Sequence, residues 1–441
     1  MLNCSLNKCI YFLMIVTMSC VDHAFALGEN IPSDGLSGKV IVGYQGWFGC
    51  PNDFEGNTVW QHWFVKGIRP EFFTVDLLPS VTEINKTDLC DTGLPAATGQ
   101  ETIKLFSSQN PNVVNYHFRL MRDHNIDGAA AQRFVVGLSN TAKKNRMDNV
   151  LKNIKTASEK NSRVFYLTYD ISGGDPKTVV NDIRQDWQHL VNDLEVTKSS
   201  SYLRDHGKPV LELWGFGFKD RPGSPSEVLT LIKDLKNGKN GLTATTLIGG
   251  VPTNWRTLTG DSKPDSAWAK TYRSFDVISP WTVGRFSDVT GADIFMKNYI
   301  IPDVTETRRL GLGYLPVVFP GFSWYNLMTN RNRSNQAILN QIPRNCGQFL
   351  WKQISNSLNA HVNMLYMAMF DEVDEGTAIF PVESLQDKIP KDASMLTLNR
   401  DGCNVPKDWY LRIANEASNS LHLNEPSLKD WNATKTAILS R

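Results

Sequence analysis

Nine apolar, strand-like runs separated by stretches of helical periodicity constrain this chain more than any other feature. The runs are Lys39–Trp47, Phe72–Pro79, Gly128–Val136, Arg163–Ile171, Pro209–Phe216, Thr246–Pro252, Asp276–Val283, Tyr314–Gly321 and Asn363–Glu372. Between them, apolar residues return at intervals of three and four. Met147, Val150, Leu151 and Ile154 share one helical face, as do Val179, Ile183, Trp187, Leu190, Val191 and Leu194. Val228, Leu231, Ile232 and Leu235 form another such stripe, and Phe349, Leu350, Gln353 and Ile354 a further one. Runs that are apolar on both faces belong to sheets covered on both sides, and repeated βα units make such a sheet parallel. The expectation is a single (β/α)8 barrel with elaborated loops, with Phe72–Pro79 as an irregular excursion before the second barrel strand. A doubly wound open sheet is the rival, but the sequence holds no G-x-G-x-x-G or P-loop that would suit a nucleotide version of it.

The chemistry concentrates at one strand end. Tyr366-Met-Ala-Met-Phe370 is apolar and uncharged, and Asp371, Glu372, Asp374 and Glu375 follow within five residues, ahead of Gly376. In a parallel barrel, loops after the carboxyl ends of the strands carry catalytic groups. Glu372 and Glu375 can address one ligand only if the chain leaves the strand between them, because residues three apart on a strand face opposite ways. Paired carboxylates in a cleft suit acid/base work, since repulsion and unequal burial separate their pKa values. A solvated acidic loop and a cation site are the alternatives.

Other strand ends supply substrate-binding candidates. Tyr44, Gln45 and Trp47 stand among glycines after the first strand, and His62 follows in Trp60-Gln-His-Trp-Phe. Gln132 and Arg133 end the third run and Asp170 the fourth, while Trp214, Trp281 and Trp324 follow later ones. Glu212 lies in an apolar run and needs a partner there; Arg133 is a candidate for it. The aromatics together suggest a cleft that stacks on sugar rings.

The ends and the composition set the setting. Lys8, the apolar stretch Cys9–Val21 and Ala24-Phe25-Ala26 read as a signal peptide over residues 1–26. The stretch is too short for an ordinary membrane span, so the expectation is a secreted or periplasmic protein with no membrane partner after cleavage. The catalytic domain is expected over 27–425 and a C-terminal tail over 426–441, frayed from Ser427. With 46 basic and 45 acidic residues the formal net charge is +1, which argues against a nucleic-acid partner. Cys50, Cys90, Cys346 and Cys403 remain after the signal; their even number in an exported chain fits disulfides, with three pairings open. There is no zinc-type cysteine or histidine spacing, and no cofactor is expected.

Several segments recur together in one group of proteins. Val42-Gly-Tyr-Gln-Gly-Trp-Phe, Tyr169-Asp-Ile-Ser172, Phe319-Pro-Gly-Phe-Ser-Trp324, Ile342-Pro-Arg-Asn-Cys-Gly347 and Phe370-Asp-Glu-Val-Asp-Glu-Gly376 follow in this order. The chain resembles exported bacterial proteins grouped with glycoside hydrolase families 71 and 99, labelled xylosidase/arabinosidase and related to family 99 endo-α-mannosidases. The last segment is similar to the Asn-Glu-x-x-Glu-Gly stretch of family 99, with Asp371 in place of Asn and Val373-Asp374 in place of Trp-His. The resemblance implies a (β/α)8 glycoside hydrolase acting on a carbohydrate without a metal in the chemical step. By position, Glu372 is the base on a sugar 2-hydroxyl and Glu375 the acid. A non-catalytic carbohydrate-binding barrel, and a metal-dependent hydrolase using the four carboxylates, are the competing functions. Sequence leaves the sugar, the linkage and the oligomeric state open.

Overall fold

The computed structural model describes residues 31–423 and 430–440, so the expected signal peptide lies outside the described residues. Eight parallel strands form the core. They are β1 (Val40–Tyr44), β2 (Gly128–Phe134), β3 (Val164–Asp170), β4 (Lys208–Trp214), β5 (Thr246–Val251), β6 (Val277–Pro280), β7 in two halves (Gly313–Tyr314 and Val317–Val318) and β8 (Leu365–Met367). Each pairs with the next, and β1 also pairs with β8. The two halves of β7 divide the remaining work: the first pairs with β6 and the second with β8. Pro316 separates them and cannot donate to a ladder. Leu315 N still bonds the Ile278 carbonyl at 2.9 Å, and the Pro316 carbonyl accepts from Tyr366 N at 3.0 Å. The sheet therefore closes into a barrel through a strand that the proline shortens.

The remaining run, Phe72–Pro79, forms no strand. It makes only the isolated bridges Phe64–Phe73, Leu77–Leu396 and Pro79–Val382, inside the long excursion between β1 and the first helix. Helices α1 (Pro111–Asp123), α2 (Thr141–Asn161), α3 (Val179–Asn192) and α4 (Pro225–Asn237) follow β1 to β4 in turn. Local signals set their ends. The Asn110 side chain caps α1 with Pro111 at its first position, and the Ser224 hydroxyl caps α4, accepting from Glu227 N and donating to the Glu227 carboxylate; α4 closes on left-handed Gly238. The last barrel helix is Trp409–His422. The segment expected to fray instead carries a helix, Trp431–Leu439, whose Trp431 ring lies 6.2 Å from Trp409 and 6.3 Å from Trp351. Two large aromatic faces outweigh the weak helical pattern of that stretch.

Disulfides join Cys50 to Cys90 and Cys346 to Cys403, one of the three pairings the sequence left open. The first pins the β1 excursion; the second holds the turn before the helix Gln348–Asn359 against the turn Leu398–Asp401. Cross-links closing 40 and 57 residues restrict the unfolded chain by about 4 kcal/mol each in the chain-entropy model. Denatured but unreduced protein should show no free thiol from these four cysteines, and reduction should lower the denaturation midpoint markedly. Four reactive thiols would refute the pairing.

Candidate active site

Beyond β8 the chain crosses the mouth of the barrel as Asp371–Gly376, and several independent contacts fix it there. Asp371 is fully buried; its two oxygens accept from Gln45 N at 2.8 Å and Gly46 N at 3.0 Å. It thereby staples the ends of β8 and β1 together. The Glu372 carbonyl accepts from Thr377 N and Ala378 N, and the Val373 carbonyl from Asp76 N and Leu77 N. Gly376 turns the chain with φ +64°, and a Cβ there would sit 2.9 Å from Ser323 N and 3.0 Å from its carbonyl oxygen. Arg344 closes the loop from below, donating to the carbonyls of Gly376 at 2.9 Å and Ala378 at 2.7 Å. Gly376→Ala combines a left-handed penalty of about 1–2 kcal/mol with that collision. It is expected to displace Glu375 and depress any turnover far more than it lowers the melting temperature; near-native activity would show the turn to be unimportant.

The loop places the two glutamates in unlike surroundings. Each carboxylate oxygen of Glu372 accepts one hydrogen bond, Oε1 from Gln45 Nε2 and Oε2 from Thr377 Oγ1, both at 2.6 Å. Glu375 is half-buried and keeps no such donor among the described residues. Burial, then the charges of Glu375 and Asp374, push Glu372 well above the usual carboxylate range, against the two donors. Burial and Asp374 raise Glu375 to about 7, with Arg331 opposing and Asp170 adding to the effect. Asp371 is raised to about 7, chiefly by burial. Asp374 has His62 as partner, Nδ1 to Oδ2 at 3.4 Å, while its Oδ1 is buried without one.

Beneath the loop, inward side chains of β2, β3, β4 and β8 fill the barrel. Gln132 Nε2 donates to Tyr366 Oη at 3.0 Å. Gly43 makes room for that hydroxyl, since a Cβ there would stand 2.4 Å from it. Glu212 accepts from Thr168 at 2.9 Å and Tyr166 at 3.2 Å, and burial raises it to about 7. Its partners are these hydroxyls and not Arg133. Asp170 sits at the end of β3, accepts from Ser172 N at 2.7 Å and is raised by burial. Trp214 and Trp281 meet edge to face at 5.2 Å, and Trp324 donates from Nε1 to the Gln336 carbonyl at 3.2 Å.

Three of the residues read as cleft-facing lie otherwise. Tyr44 is fully buried outside the barrel wall, its hydroxyl 2.9 Å from Nδ1 of His117 on α1. It falls on the opposite face of β1 from Gly43, so the strand's alternation removes it from the cleft. Arg133 likewise points outward. It donates to both oxygens of Asp186 on α3, at 2.5 and 2.6 Å, and to Asp148 on α2 at 2.7 Å. Trp47 reaches the mouth but has both faces covered, by His62 at 4.2 Å and Phe134 at 5.1 Å, leaving no face for a sugar. Thr377 and Asp76 escaped notice in the sequence. Thr377 is legible in hindsight as the first hydroxyl after the glycine turn. Asp76, which receives Ser323 Oγ, Tyr325 N and Asn326 N, carries no local signal, because its partners lie about 250 residues away.

Among the described residues no group of three or more His, Cys, Asp or Glu is arranged to hold a metal ion. The oxygens of Asp371 and Glu372 are already directed at protein donors, which a cation would have to displace. Among the same residues no helix is long and apolar enough to cross a membrane.

No family model and no curated protein matches the chain. Solved structures do. Two structures of a GH99 endo-α-mannosidase from Bacteroides thetaiotaomicron, the second bound to bis-tris-propane, are 14% identical, with TM-scores of 0.63 and 0.62. The matches cover 89% and 88% of this chain and 100% and 98% of theirs. A glycoside hydrolase-like protein matches at TM-score 0.50 and 14% identity, over 80% of this chain and 98% of its own. At such identity the likeness concerns the fold, and the chain has the (β/α)8 architecture of these structures.

Proposed function

We propose that the protein is an exported glycoside hydrolase that cleaves an α-mannoside-like glycan with Glu372 as base and Glu375 as acid. One observation carries the assignment: two acids of one buried loop differ in hydrogen bonding. Glu372 accepts at both oxygens, which favours its ionised form. Glu375 lacks such donors, and burial raises it to about 7, so it carries a proton at and below that pH, as an acid for the leaving oxygen requires. Glu372 is raised as well, and acts as base once it gives up its proton, with Gln45 and Thr377 favouring the anion. The neighbour described as an endo-α-mannosidase, on the same fold, supports the sugar class. The two disulfides support export. The aspartate that stands where the resembled family has Asn does not call for a retired, purely carbohydrate-binding barrel, because each Asp371 oxygen takes a backbone N–H.

The test is incubation with α-mannan fragments beside xylosides, arabinosides and other plant, fungal and bacterial glycans, with and without chelator, followed by product analysis. Binding without products from any glycan sinks the reading. The pH dependence has a definite sign. Glu375 is raised from 4.5 to about 7 in the folded state, so the native protein binds more protons than the unfolded chain between these values. Its contribution to stability is complete below about pH 4.5 and is lost as pH rises through 7. Turnover should likewise fall above about pH 7 as the acid ionises. In Glu375→Gln, the decline in stability between pH 4.5 and 8 should be shallower than in the wild type; parallel curves from pH-dependent melting would contradict this.

A further inference from the structure

A cavity of about 550 Å³ lies between the barrel wall and α2 and reaches Gln45 and Gly46, which hold the acidic loop. Its floor is apolar: Ala131 on β2, Leu167 on β3, and Val150, Leu151 and Ile154 on α2. These face outward from the strands and inward from the helix, where side chains ordinarily interlock. The sequence explains the space. β2 begins Gly128-Ala-Ala-Ala, so ahead of Arg133, which reaches Asp148, it offers α2 only methyl groups. The cavity opens past Val136, which is 50% exposed, and past Asn140 and Lys143 at the start of α2. That 21-residue helix has no acidic residue in its first turn, and Lys143 makes no ion pair among the described residues. Arg146 at the same rim is neutralised by Asp53 at 3.0 Å, and Glu55 stands opposite. The rim thus sets a free cation and the positive end of a helix dipole against one exposed carboxylate. At its inner end the cavity reaches Gln45, the residue that donates to Glu372.

We infer that this cavity is a binding site for an aryl or short acyl group that carries an anionic or strongly polar head. The apolar body occupies the space between β2 and α2, and the head meets Lys143 and Asn140. Small-molecule sites elsewhere have this form, an apolar hollow with a few polar groups at one end. The group arrives either as a free amphiphile or as a substituent of the glycan; only the second source rests on the glycosidase reading above.

The direct test is fluorescence titration of the full chain with 8-anilinonaphthalene-1-sulfonate. One site per chain with micromolar affinity is expected. Val136→Trp, at the exposed rim, should weaken it at least tenfold by plugging the opening, and Ala131→Leu should do the same from the floor. Lys143→Glu should weaken the sulfonate but not uncharged N-phenyl-1-naphthylamine. Absence of saturable binding, or affinity unchanged in Val136→Trp, overturns the inference. Because binding is read without turnover, a chain that binds the probe but hydrolyses no glycan sinks the glycosidase reading alone, and the reverse outcome sinks the cavity alone. On an active glycan, Val136→Trp raising KM only for benzoylated fragments identifies the substituent as the source. Equal KM with and without the ester, alongside probe binding, identifies the free amphiphile.

Discussion

Replacing Glu372 or Glu375 by glutamine should lower turnover about 10²–10⁴-fold on the natural glycan, while oligosaccharide binding survives. Glutamine keeps shape and most hydrogen bonds but cannot carry the proton, and general acid or base groups contribute about that much. In barrier terms each change costs at least about 3 kcal/mol, at 1.36 kcal/mol per tenfold. The two variants should also separate. A good leaving group departs without protonation, so Glu375→Gln should be partly rescued on an activated aryl glycoside and Glu372→Gln should not. Asp374→Asn, which removes a charge that raises both glutamates, should mainly shift the pH profile toward lower values. Steady-state kinetics on both substrate types decide the matter. Near-native turnover in both glutamine variants, with loss in Asp170 or Glu212 variants, would move the chemistry down into the barrel.

The second large effect concerns stability. Arg133→Met should destabilise the protein by about 3–5 kcal/mol, the usual cost of removing one partner from a buried ion pair. Arg133 is 1% exposed, and its loss leaves Asp186 and Asp148 facing each other across the β2–α2–α3 interface. Asp186 would retain Tyr169 Oη at 2.7 Å, and Asp148 would retain His189, at 3.0 Å. Replacing all three together by apolar residues of similar size should recover much of the loss, since it is the unpaired charge that costs. Denaturant melts of the single and triple variants measure this. A change below about 1 kcal/mol in the single variant would mean that solvent reaches the pair.

The alternation that builds the barrel and the acidic loop that crowns it are both legible in the residues alone. Eight of the nine apolar runs became strands because they are long, charge-poor and bounded by turn residues, a signal that survives without knowledge of partners. The crowding of carboxylates before Gly376 also fixed where the acids lie along the chain. The direction in which single side chains face was settled by long-range packing. Tyr44 and Gln45 are neighbours, yet one enters the wall toward His117 and the other the mouth toward Glu372, because successive side chains face opposite ways and only packing settles which face is which. Arg133 looked like a cleft residue because its acidic partners lie 15 and 53 positions onward, on two different helices. The role of Asp371 likewise rests on amides more than 320 residues away. Periodicity is a local property, written into each element. Pairing of buried charges is a long-range property, settled only when the barrel closes and the cost of leaving a charge without a partner is imposed.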